Sequence, residues 1–530
     1  MSDSPGFSLI VGFSSDMGNA EDAAMSFAEA VAAAEEIGVV TEAVELNQIP
    51  LTDLQSATHF VVVTSTFGDG EFPDNGALFW EAISADGVDR LDHLHFAVLA
   101  LGDISYDLFC NAGKILDERL EALGGTRLAE RIDIDGFYEK PAAAWTADVV
   151  KAISAVTSVS PSVPAVDAEN LPPRHEKLSW PRDNPYTARL VVNRPLTAAE
   201  SDKDVRHYEI DLGDSGMTYQ AGDSVAVHPV NDPDLVAAVL ATLGVGADHT
   251  VADHEHPLGV LLSEHLEIRT PSRALRALAT AGIGTQFDES DSHDVLDLLE
   301  MIRPSVDELL DTLRPLQFRD YSIASSPLLH PDRIHLTVST VSYTARNRRR
   351  GGVASTFLAH RGDAVRVHLR PNHSFRLPGP DVPVIMVGPG TGIAPFRAFL
   401  QERRAVGASG RSWLFFGDRR RSTDFLYGEE LLAFRDAGVL SRLDLAFSRD
   451  SPDGAKDYVQ HHMLANADEV FDWLQDGAHL YVCGDADNMA KDVHQALHQI
   501  VATAGGMTGD AAHAYVNELI KDHRYLRDVY

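Results

Sequence analysis

The chain has 530 residues, of which 44% are hydrophobic and 23% are charged, an ordinary balance for a water-soluble globular protein. This length exceeds what one hydrophobic core organises, so we expect two to four domains. No apolar run approaches the ~20 residues that cross a bilayer, and the N-terminus lacks the basic region and cleavage site of a signal peptide. The two cysteines, Cys110 and Cys483, indicate no disulfide framework, so we expect a cytoplasmic protein without a membrane partner.

Acidic side chains are concentrated in the N-terminal third. The net charge of the chain is −35, and residues 1–150 contain 27 acidic side chains but only 6 basic ones. A surface of this sign repels nucleic acid and anionic membranes, so we expect neither as a partner. Two interpretations of the acidic third stay open. It is either a solvated surface that keeps the protein soluble, or a docking surface for a basic protein, whose encounter opposite charge would accelerate.

Short apolar runs alternate with amphipathic stretches over residues 7–151. Three runs are typical of buried parallel strands, namely Phe7–Gly12, Phe60–Thr64 and Phe96–Leu101. An alanine- and glutamate-rich helix is predicted between the first two strands, over Ala20–Ile37. Repeated strand–loop–helix units of this kind predict a doubly wound α/β sheet.

A proline-rich stretch separates this predicted domain from the rest of the chain. Six prolines fall within residues 158–185 with little apolar periodicity, which predicts a linker over 152–185. Over 186–378 the pattern predicts an antiparallel β-barrel with a helical insert at about 232–312, which includes a helix over Asp294–Ile302. The predicted barrel strands are Tyr186–Val192, Val205–Asp211, Ser224–His228, Tyr321–Ala324, Ile334–Thr340 and Ala364–Leu369.

A second α/β domain is predicted over 379–530. Its apolar strands are Val384–Val387, Ser412–Phe416, Arg442–Phe447 and His479–Val482, with helices between them. The sequence therefore predicts three domains and a linker, without an internal repeat.

Three loops of the first predicted sheet carry residues suited to a ligand. Ligands of an open parallel sheet bind outside the carboxyl ends of its strands. The loop Ser15–Ala20 follows the first strand and opens a helix, where free N–H groups and the helix dipole favour a phosphate. The loops Ser65–Glu71 and Leu101–Asn111 each present one aromatic residue, Phe67 or Tyr106. Two such rings could sandwich a flat heteroaromatic group; the alternative is that both belong to the ordinary core.

Three further motifs suit dinucleotides. Arg319–Ser322 combines a guanidinium for a pyrophosphate, a tyrosine that can stack on a flavin, and a serine that can hydrogen-bond the flavin N5 atom. Gly352–Ser355 opens a helix and provides a second phosphate cradle. Gly388–Gly392 lies between a strand and the predicted helix Ala394–Gln401, a position that can receive a pyrophosphate. The alternative for the first two motifs is a plain barrel strand followed by a helix cap.

Together these motifs resemble those of the diflavin reductases. The first three loops are similar to those of a flavodoxin-like FMN domain, and the remainder is similar to the ferredoxin-reductase-like module that follows it in that family. The resemblance extends from about Ser8 to Tyr530. It is strongest with the flavoprotein subunits of assimilatory NADPH–sulfite reductases, and NADPH–cytochrome reductases are also similar. One loop departs from the family, which usually has Ser-Gln-Thr-Gly where this chain has Ser15-Asp16-Met17-Gly18.

The resemblance implies three cofactors, FMN, FAD and NADPH, and no metal. The implied FMN residues are Ser15, Asp16, Met17, Gly18, Asn19, Ala20, Ser65, Thr66, Phe67, Gly68, Leu101, Gly102, Asp103, Tyr106, Phe109 and Cys110. The implied FAD residues are Arg319, Asp320, Tyr321, Ser322, Thr337, Val338, Ser339, Tyr343, Gly352, Val353, Ala354, Ser355 and Tyr530. The implied NADPH residues are Gly390, Thr391, Ser448, Arg449, Lys456, Tyr458, Gln460 and Asp492.

Some of these residues receive specific roles from the resemblance. Arg449 and Lys456 would supply charge, and Ser448 and Tyr458 hydrogen bonds, to the 2′-phosphate that distinguishes NADPH from NADH. The implied catalytic residues are Ser322, Cys483, Asp528 and Tyr530. Asp528 would stabilise the positive charge that develops on the nicotinamide as hydride leaves, and the terminal tyrosine would cover the flavin. The alternatives are surface charges, a buried apolar cysteine and a frayed chain end.

The function implied by the resemblance is electron transfer from NADPH through FAD and FMN to a redox protein. The implied acceptor is the sirohaem and iron–sulfur subunit of sulfite reductase, in a hetero-oligomer, and the linker would let the FMN domain swing between FAD and this acceptor. One alternative is a stand-alone reductase for another haem acceptor. A second is a single-flavin FAD reductase, in which the altered Ser15–Gly18 loop no longer holds FMN and the N-terminal domain is a docking module.

Overall fold

The computed structural model describes residues 7–15, 18–34, 36–104, 106–157, 180–287 and 291–530. Asp16, Met17 and most of the predicted linker, residues 158–179, lie outside the described residues. The chain divides into two compact units. The first contains the described residues of Met1–Glu176, Ala486–Lys491 and Val501–Asp528. The second contains the described residues of Lys177–Asp485, Asp492–Ile500 and Val529–Tyr530.

A parallel sheet forms the centre of the first unit. Its strands are β1 Leu9–Ser14, β2 Ala43–Glu45, β3 His59–Ser65, β4 His95–Gly102, β5 Thr126–Arg127 and β6 Ile132–Asp135. The accompanying helices are α1 Asn19–Ala33, α2 Leu51–Ser56, α3 Asp74–Ser84, α4 Asn111–Ala122 and α5 Glu139–Thr157, with a 3₁₀ turn at Leu46–Gln48. The strand order is β2-β1-β3-β4-β5, with β6 also paired to β4. This order reverses between β1 and β3, as in a doubly wound sheet, so the predicted fold class is confirmed.

Helices cover both faces of this sheet. On one face Phe27 of α1 packs against Trp145 of α5, with ring centroids 5.9 Å apart. On the other face Phe60 of β3 packs against Phe79 of α3. Because β3 and β4 are buried from both sides, their sequences are continuous apolar runs, which is why the strands were recognisable without alternation.

An antiparallel sheet begins the second unit. Its order is β10-β9-β14-β7-β8-β11, and the Ala324 N–H donates to the His335 carbonyl (2.8 Å), which links its two edge strands. These strands are β7 Tyr186–Pro195, β8 Val205–Asp211, β9 Ser224–His228, β10 Arg319–Ser322, β11 Arg333–Ser339 and β14 Ala364–Arg370, beside a hairpin of β12 Ser342–Ala345 and β13 Arg348–Gly351. The helices are α6 Pro233–Leu243, α7 Leu258–Val260 with a π-helical turn at Leu261–His265, α8 Arg273–Ile283, α9 Val295–Ile302, α10 Val306–Leu310 and α11 Val353–His360.

A second parallel sheet follows, with the order β17-β16-β15-β18. Its strands are β15 Val384–Val387, β16 Ser412–Asp418, β17 Arg442–Phe447 and β18 His479–Gly484. The helices of the C-terminal part are α12 Ile393–Val406, α13 Arg421–Asp424, α14 Gly428–Asp436, α15 Val459–Ala465, α16 Ala467–Gln475, α17 Met489–Ala504 and α18 Gly509–Lys521, and the last strand is β19 Tyr525–Val529. Within the described part of the chain, none of the helices has the length and apolarity that crossing a membrane requires.

The sequence predictions differ from the structure mainly where the apolar pattern is weak. The strand predicted over Tyr321–Ala324 is instead Arg319–Ser322, because the next two N–H groups bond carbonyls on two different segments, that of Asp223 before β9 and that of His335 in β11. Helix α1 ends before the predicted Ile37, close to a left-handed turn at Gly38 (φ 65°). The β12–β13 hairpin was not predicted because its sequence is almost entirely polar.

Candidate active site

Three loops meet at the carboxyl edge of the first sheet. β1 and β3 end side by side, with Ser14 opposite Thr64, and β4 ends beside them, with Leu101 opposite Ser65. The Ser65 hydroxyl donates to the Ser14 carbonyl (3.3 Å), and the Thr66 N–H donates to the Leu101 carbonyl (3.1 Å). The three predicted FMN loops are therefore held together at the switch point of the sheet, where such folds bind their ligands.

The first loop leads into α1 through Gly18, which has a left-handed backbone (φ 78°) that favours glycine. The Ser15 hydroxyl accepts from the Ala20 N–H (3.2 Å), and the Ser15 N–H donates to Oδ1 of Asn75 (3.0 Å). Among the described residues, none hydrogen-bonds the buried side-chain oxygen of Asn19, which is the condition of a polar atom that a ligand completes. These features fit a phosphate-bearing ligand such as FMN.

The second and third loops present the two predicted aromatic residues. Phe67 begins a tight turn in which its N–H donates to the Glu71 carbonyl (2.9 Å), and its ring is half-buried. Tyr106 is 61% exposed, so its ring is not part of the ordinary core. The Thr66 hydroxyl accepts from the Ala112 N–H (3.2 Å) and fixes the second loop to α4. The sandwich of a flavin between these rings stays a prediction.

Cys110 is a predicted FMN residue whose side chain is in the core. It is fully buried, with its sulfur directed toward the carbonyl of Ala100 (3.5 Å). Burial raises the pKa of the Cys110 thiol to about 12, so the thiol is protonated and inert at neutral pH. Only its backbone can contribute to a ligand site. Leu101 is also buried, Phe109 is half-buried, and Gly68 and Asp103 are exposed.

The predicted flavin motif lies on β10, which pairs with β9 so that Ser322 is opposite Ser224. Arg319 is exposed, while the three residues that follow it are half-buried. Burial raises the pKa of the Asp320 carboxyl, whereas Arg370, with its Nε 3.6 Å away, lowers it. A guanidinium followed by a half-buried tyrosine and serine fits the pyrophosphate and ring of a flavin dinucleotide.

The second cradle is at the start of α11. The Gly352 N–H donates to the Val341 carbonyl (3.0 Å), and the Ser355 hydroxyl accepts from the Val341 N–H (3.1 Å). A Cβ atom at Gly352 would lie 2.8 Å from Oγ of Ser355, so a larger residue in this turn would require the Ser355 hydroxyl to move. In the part of the chain that the structure describes, no side chain caps the helix at this end, so its first N–H groups are available to a phosphate. Val353 and Ala354 are the half-buried and buried neighbours in this turn.

Other predicted FAD residues of this region differ in their contacts and in their burial. The hydroxyl of Thr337 is hydrogen-bonded to the Tyr427 hydroxyl (2.8 Å), and Val338 packs into the barrel core. Ser339 is half-buried, and Tyr343 on the hairpin is 47% exposed. The side chains of Thr337 and Val338 are thus already engaged within the protein, and only their backbone is left for a ligand.

The nucleotide loop Gly388–Gly392 connects β15 to α12. Gly390 has a left-handed backbone (φ 59°), and a Cβ atom at Gly392 would lie 2.0 Å from the Cys483 carbonyl oxygen. The loop therefore packs backbone against backbone on the end of β18, an arrangement that lets a pyrophosphate approach the main chain. Cys483 is itself fully buried.

The chain terminus lies on this loop. The Tyr530 N–H donates to the Gly484 carbonyl (3.0 Å), and its hydroxyl donates to Oγ1 of Thr391 (2.8 Å). The ring remains 62% exposed. The structure thus brings Tyr530, which the sequence analysis lists with FAD, together with Thr391, which it lists with NADPH, and with the end of β18. Asp528 is half-buried in β19, and its place beside the nicotinamide stays a prediction.

The residues predicted for the 2′-phosphate follow β17. The Ser448 N–H donates to the Asp418 carbonyl (2.9 Å), and the Arg449 guanidinium is paired with Asp202 (2.9 Å). Lys456 and Tyr458 are exposed. Two further predicted residues contact each other, because the Gln460 amide donates to the Asp492 carboxylate (2.9 Å).

Comparison with known proteins finds three domain families along the chain. A flavodoxin family matches residues 11–145, an FAD-binding domain family matches 179–279 and 285–357, and an oxidoreductase NAD-binding domain family matches 386–495. The sulfite reductase [NADPH] flavoprotein alpha-component of Bacillus subtilis (strain 168) is 39% identical over 98% of this chain and 88% of its own length. The proteins of that name from Aliivibrio fischeri and Vibrio cholerae (strain O395) are 40% and 41% identical, over 100% and 98% of this chain and 90% and 87% of their lengths.

The chain belongs to the sulfite reductase [NADPH] flavoprotein alpha-component family. As a member of this family it is an NADPH-dependent flavoprotein oxidoreductase of the diflavin type, and its cofactors are FMN, FAD and NADPH. The predicted recognition, fold class, enzyme class and cofactors are confirmed.

Three residues near the family's cofactor loops were missed by the sequence analysis. Asn75 supports the first loop from α3, and Lys203 forms an ion pair with Asp418 (2.5 Å) beside the nucleotide loop. Arg397 of α12 donates to the Ala324 carbonyl (2.6 Å), next to the flavin motif. Each is remote in sequence from the residue that it contacts, so no local pattern could have identified it.

One buried group in this flavoprotein has the composition of a metal site. His207, Glu209 and His335 place their ligand atoms within 4.8 Å of one another. However, Nδ1 of His335 lies 3.1 Å from the Arg397 guanidinium, which is always a donor. Nδ1 must therefore accept, which puts the ring proton on Nε2, the atom that faces Glu209. This tautomer, together with the positive charge of Arg397, opposes a cation at this site.

Proposed function

We propose that this protein transfers electrons from NADPH through FAD and FMN to the sirohaem and iron–sulfur subunit of an assimilatory sulfite reductase in the cytoplasm, with sulfide as the final product. The observation that carries the proposal is similarity to sulfite reductase [NADPH] flavoprotein alpha-components over at least 98% of the chain in three relatives. When bound, the two flavins accept a hydride and release its electrons one at a time.

We infer a separate task for each of the three predicted domains. Residues 7–151 form the FMN domain, which delivers electrons to the acceptor. Residues 186–378 hold FAD, residues 379–530 hold NADPH, and 152–185 is the linker. The acidic excess of residues 1–150, 27 acidic against 6 basic side chains, makes the first domain the docking surface for a basic acceptor, because opposite charge accelerates encounter.

In this proposal the residues around the nicotinamide orient it and stabilise charge. Ser322 and Cys483 border the nicotinamide, and the Asp528 carboxylate stabilises the positive charge that develops on its ring. Tyr530 covers the flavin and is displaced by the nicotinamide. Its contacts with Thr391 and Gly484 support this role, because they anchor an exposed ring at the nucleotide loop through two hydrogen bonds.

The acceptor is tested by reconstitution. The purified flavoprotein is mixed with a purified sirohaem and iron–sulfur subunit, NADPH and sulfite without oxygen, and sulfide is measured. We expect sulfide only when both proteins are present. If docking is electrostatic, high salt should lower the rate of sulfide formation, because it screens the charges of the two surfaces. If sulfide is absent while ferricyanide and cytochrome c are reduced, the acceptor is another haem protein and the sulfite reductase role is wrong.

The single-flavin alternative is tested on the same preparation. The phosphate loop contains Met17 where the family usually has a hydroxyl residue, and Asp16 adds negative charge. Flavins are released by heat and separated chromatographically. Near-equal amounts of FAD and FMN support the diflavin proposal, whereas FAD alone, even after incubation with FMN, supports a docking role for the first domain.

A further inference from the structure

Helix α12 connects the nucleotide loop to the segment that follows the flavin motif. The helix begins at Ile393, immediately after the nucleotide loop Gly388–Gly392. Its buried face lies against residues 323–326, the segment that follows the flavin motif Arg319–Ser322. We call this segment the flavin shoulder. The relative position of the two cofactor motifs therefore depends on how α12 is attached to the flavin shoulder.

Arg397 makes the central attachment. It is only 6% exposed, and its guanidinium donates to the Ala324 carbonyl (2.6 Å) and lies 3.1 Å from Nδ1 of His335. It is also paired with the Glu430 carboxylate (2.8 Å). One planar group thus joins α12, the flavin shoulder, β11 and α14, and a guanidinium is the side chain with enough donors in a fixed geometry to do so.

The next turn of α12 makes a second attachment. Gln401, which is 2% exposed, accepts from the Ser326 N–H (3.0 Å) and donates to Glu430 (3.2 Å). The Ser326 hydroxyl also donates to the neighbouring Glu402. Positions 397 and 401 are one helical turn apart and face the same side. The flavin shoulder is therefore fixed to α12 at two points along its length.

We propose that Arg397 is a positioning residue for hydride transfer, which holds the nucleotide loop and the flavin motif at the separation that the reaction requires. Arg397 contacts neither cofactor motif and acts through Ala324 and the start of α12. The inference rests on the proposed transfer of hydride from NADPH to FAD. A misplacement of about 1 Å between reacting groups can lower a rate by about 100-fold, so such an attachment matters even though it lies outside the site.

The same helix contains a matched control. Arg403 is also buried (3% exposed), but its described hydrogen bonds stay within the predicted nucleotide domain, where the guanidinium donates to the carbonyls of Val382 and Gly410 and to the hydroxyl of Ser412. Replacing either arginine by lysine keeps the charge but loses the planar set of donors. Comparison of Arg397→Lys with Arg403→Lys thus separates attachment to the flavin shoulder from general support of α12.

The experiment measures hydride transfer and nucleotide binding separately in the full-length holoprotein. Stopped-flow absorbance gives the rate of flavin reduction by NADPH, and calorimetry with 2′,5′-ADP gives binding at the nucleotide site. We expect Arg397→Lys to slow flavin reduction by about tenfold or more, while its affinity for 2′,5′-ADP stays within about twofold of the parent. We expect Arg403→Lys to slow flavin reduction by less than about threefold. Equal slowing in both variants, or a matching loss of 2′,5′-ADP affinity, would overturn the proposal.

Hydrogen exchange provides a readout that does not depend on turnover. In the resting protein we expect Arg397→Lys to accelerate exchange in peptides that cover residues 319–326, where Arg403→Lys leaves it unchanged. Unchanged exchange in Arg397→Lys contradicts the attachment. If Arg397→Lys does not fold, Gln401→Met, which removes the second attachment, takes its place. We expect this variant to show the same two changes, slower flavin reduction and faster exchange over residues 319–326, but smaller in size. A parental rate of flavin reduction in Gln401→Met would contradict the proposal. Failure of the parent protein itself to be reduced by NADPH is a different result, because it refutes the proposed function.

Discussion

The two parallel sheets of this flavoprotein hold their first glycine turns by different means. In the sheet of β1–β6, side chains from other elements support the turn after β1, since Asn75 of α3 accepts from the Ser15 N–H. In the sheet of β15–β18, the turn after β15 is packed backbone against backbone, with Gly392 on the Cys483 carbonyl. The difference suits their ligands: a dinucleotide pyrophosphate requires close approach to the main chain, whereas a single phosphate can be enclosed by a loop that side chains support.

The two units also differ in their buried histidines, which gives the largest expected effect. Burial lowers the pKa of His59 in the first unit to about 4, and those of His207, His228, His335 and His368 in the second to about 3, 4, 2 and 3. These imidazoles are neutral when folded and would take up protons below about pH 6.5 when unfolded, so stability falls as pH decreases from 6.5. At pH 5 each contributes a loss of about 2 kcal/mol.

We therefore expect the second unit to open first on acidification. Hydrogen exchange followed by mass spectrometry, on stepping from pH 7 to pH 5 and correcting for intrinsic rates, should show loss of protection in β8 and β11 before β3 and β4. Earlier loss in β3 and β4 would show that the acidic first unit, not the histidines, governs acid stability.

Gly392→Ala tests the backbone packing of the nucleotide loop. A Cβ atom would lie 2.0 Å from the Cys483 carbonyl oxygen, which is main chain and cannot rotate away. The loop must shift, and we expect kcat/KM for NADPH to fall by about 100-fold or more. Gly509→Ala is the control, because a Cβ atom there meets nothing within 4 Å. Activity of Gly392→Ala equal to that of the control would show that the loop is not tightly packed.

Arg449→Ala tests the nucleotide preference. A charged hydrogen bond to the 2′-phosphate is worth about 1.5–3 kcal/mol, so we expect the ratio of kcat/KM for NADPH to that for NADH to fall by about 30-fold. Arg435→Ala removes a similarly exposed arginine, paired with Asp436, from α14 and should leave the ratio unchanged. A preserved ratio in Arg449→Ala would assign the preference to other residues.

Asn75→Ala tests the side-chain support of the first loop and has the smallest expected effect. The Ser15 N–H loses its acceptor, and a lost hydrogen bond of this kind costs about 1–3 kcal/mol. We expect FMN to bind about tenfold more weakly while FAD content is unchanged, as measured by flavin release and fluorescence titration. Gln55→Ala is the control, because this half-buried side chain on α2 donates to Asp89 and takes no part in the first loop. Parental FMN affinity in Asn75→Ala would contradict the comparison between the two turns.

The sequence was informative where structure depends on local pattern. The buried strands of both parallel sheets were predicted because burial on two faces leaves continuous apolar runs, and the boundaries of Val205–Asp211, Ser224–His228, Val384–Val387 and Arg442–Phe447 agree with the structure. The glycine turns were recognisable because they follow such strands. The domain boundaries and the assignment of individual cofactor residues stay predictions.

The sequence was uninformative where structure depends on contacts between distant residues. Arg397 and Ala324 are 73 positions apart, and the support of Ser15 by Asn75 crosses 60 positions. Nothing in the sequence distinguishes Thr337, whose hydroxyl is used by Tyr427, from a ligand-facing threonine. Cys110 likewise belongs to a loop with a predicted cofactor role, although its sulfur is in the core.

The central claim is that the FAD and NADPH motifs of residues 319–530 allow hydride to pass from nicotinamide to flavin. The most direct measurement is the flavin absorbance of the purified holoprotein after addition of NADPH or NADH without oxygen. The account predicts rapid bleaching with NADPH and much slower bleaching with NADH. Persistence of the flavin colour with NADPH, in protein that contains both flavins, would contradict it.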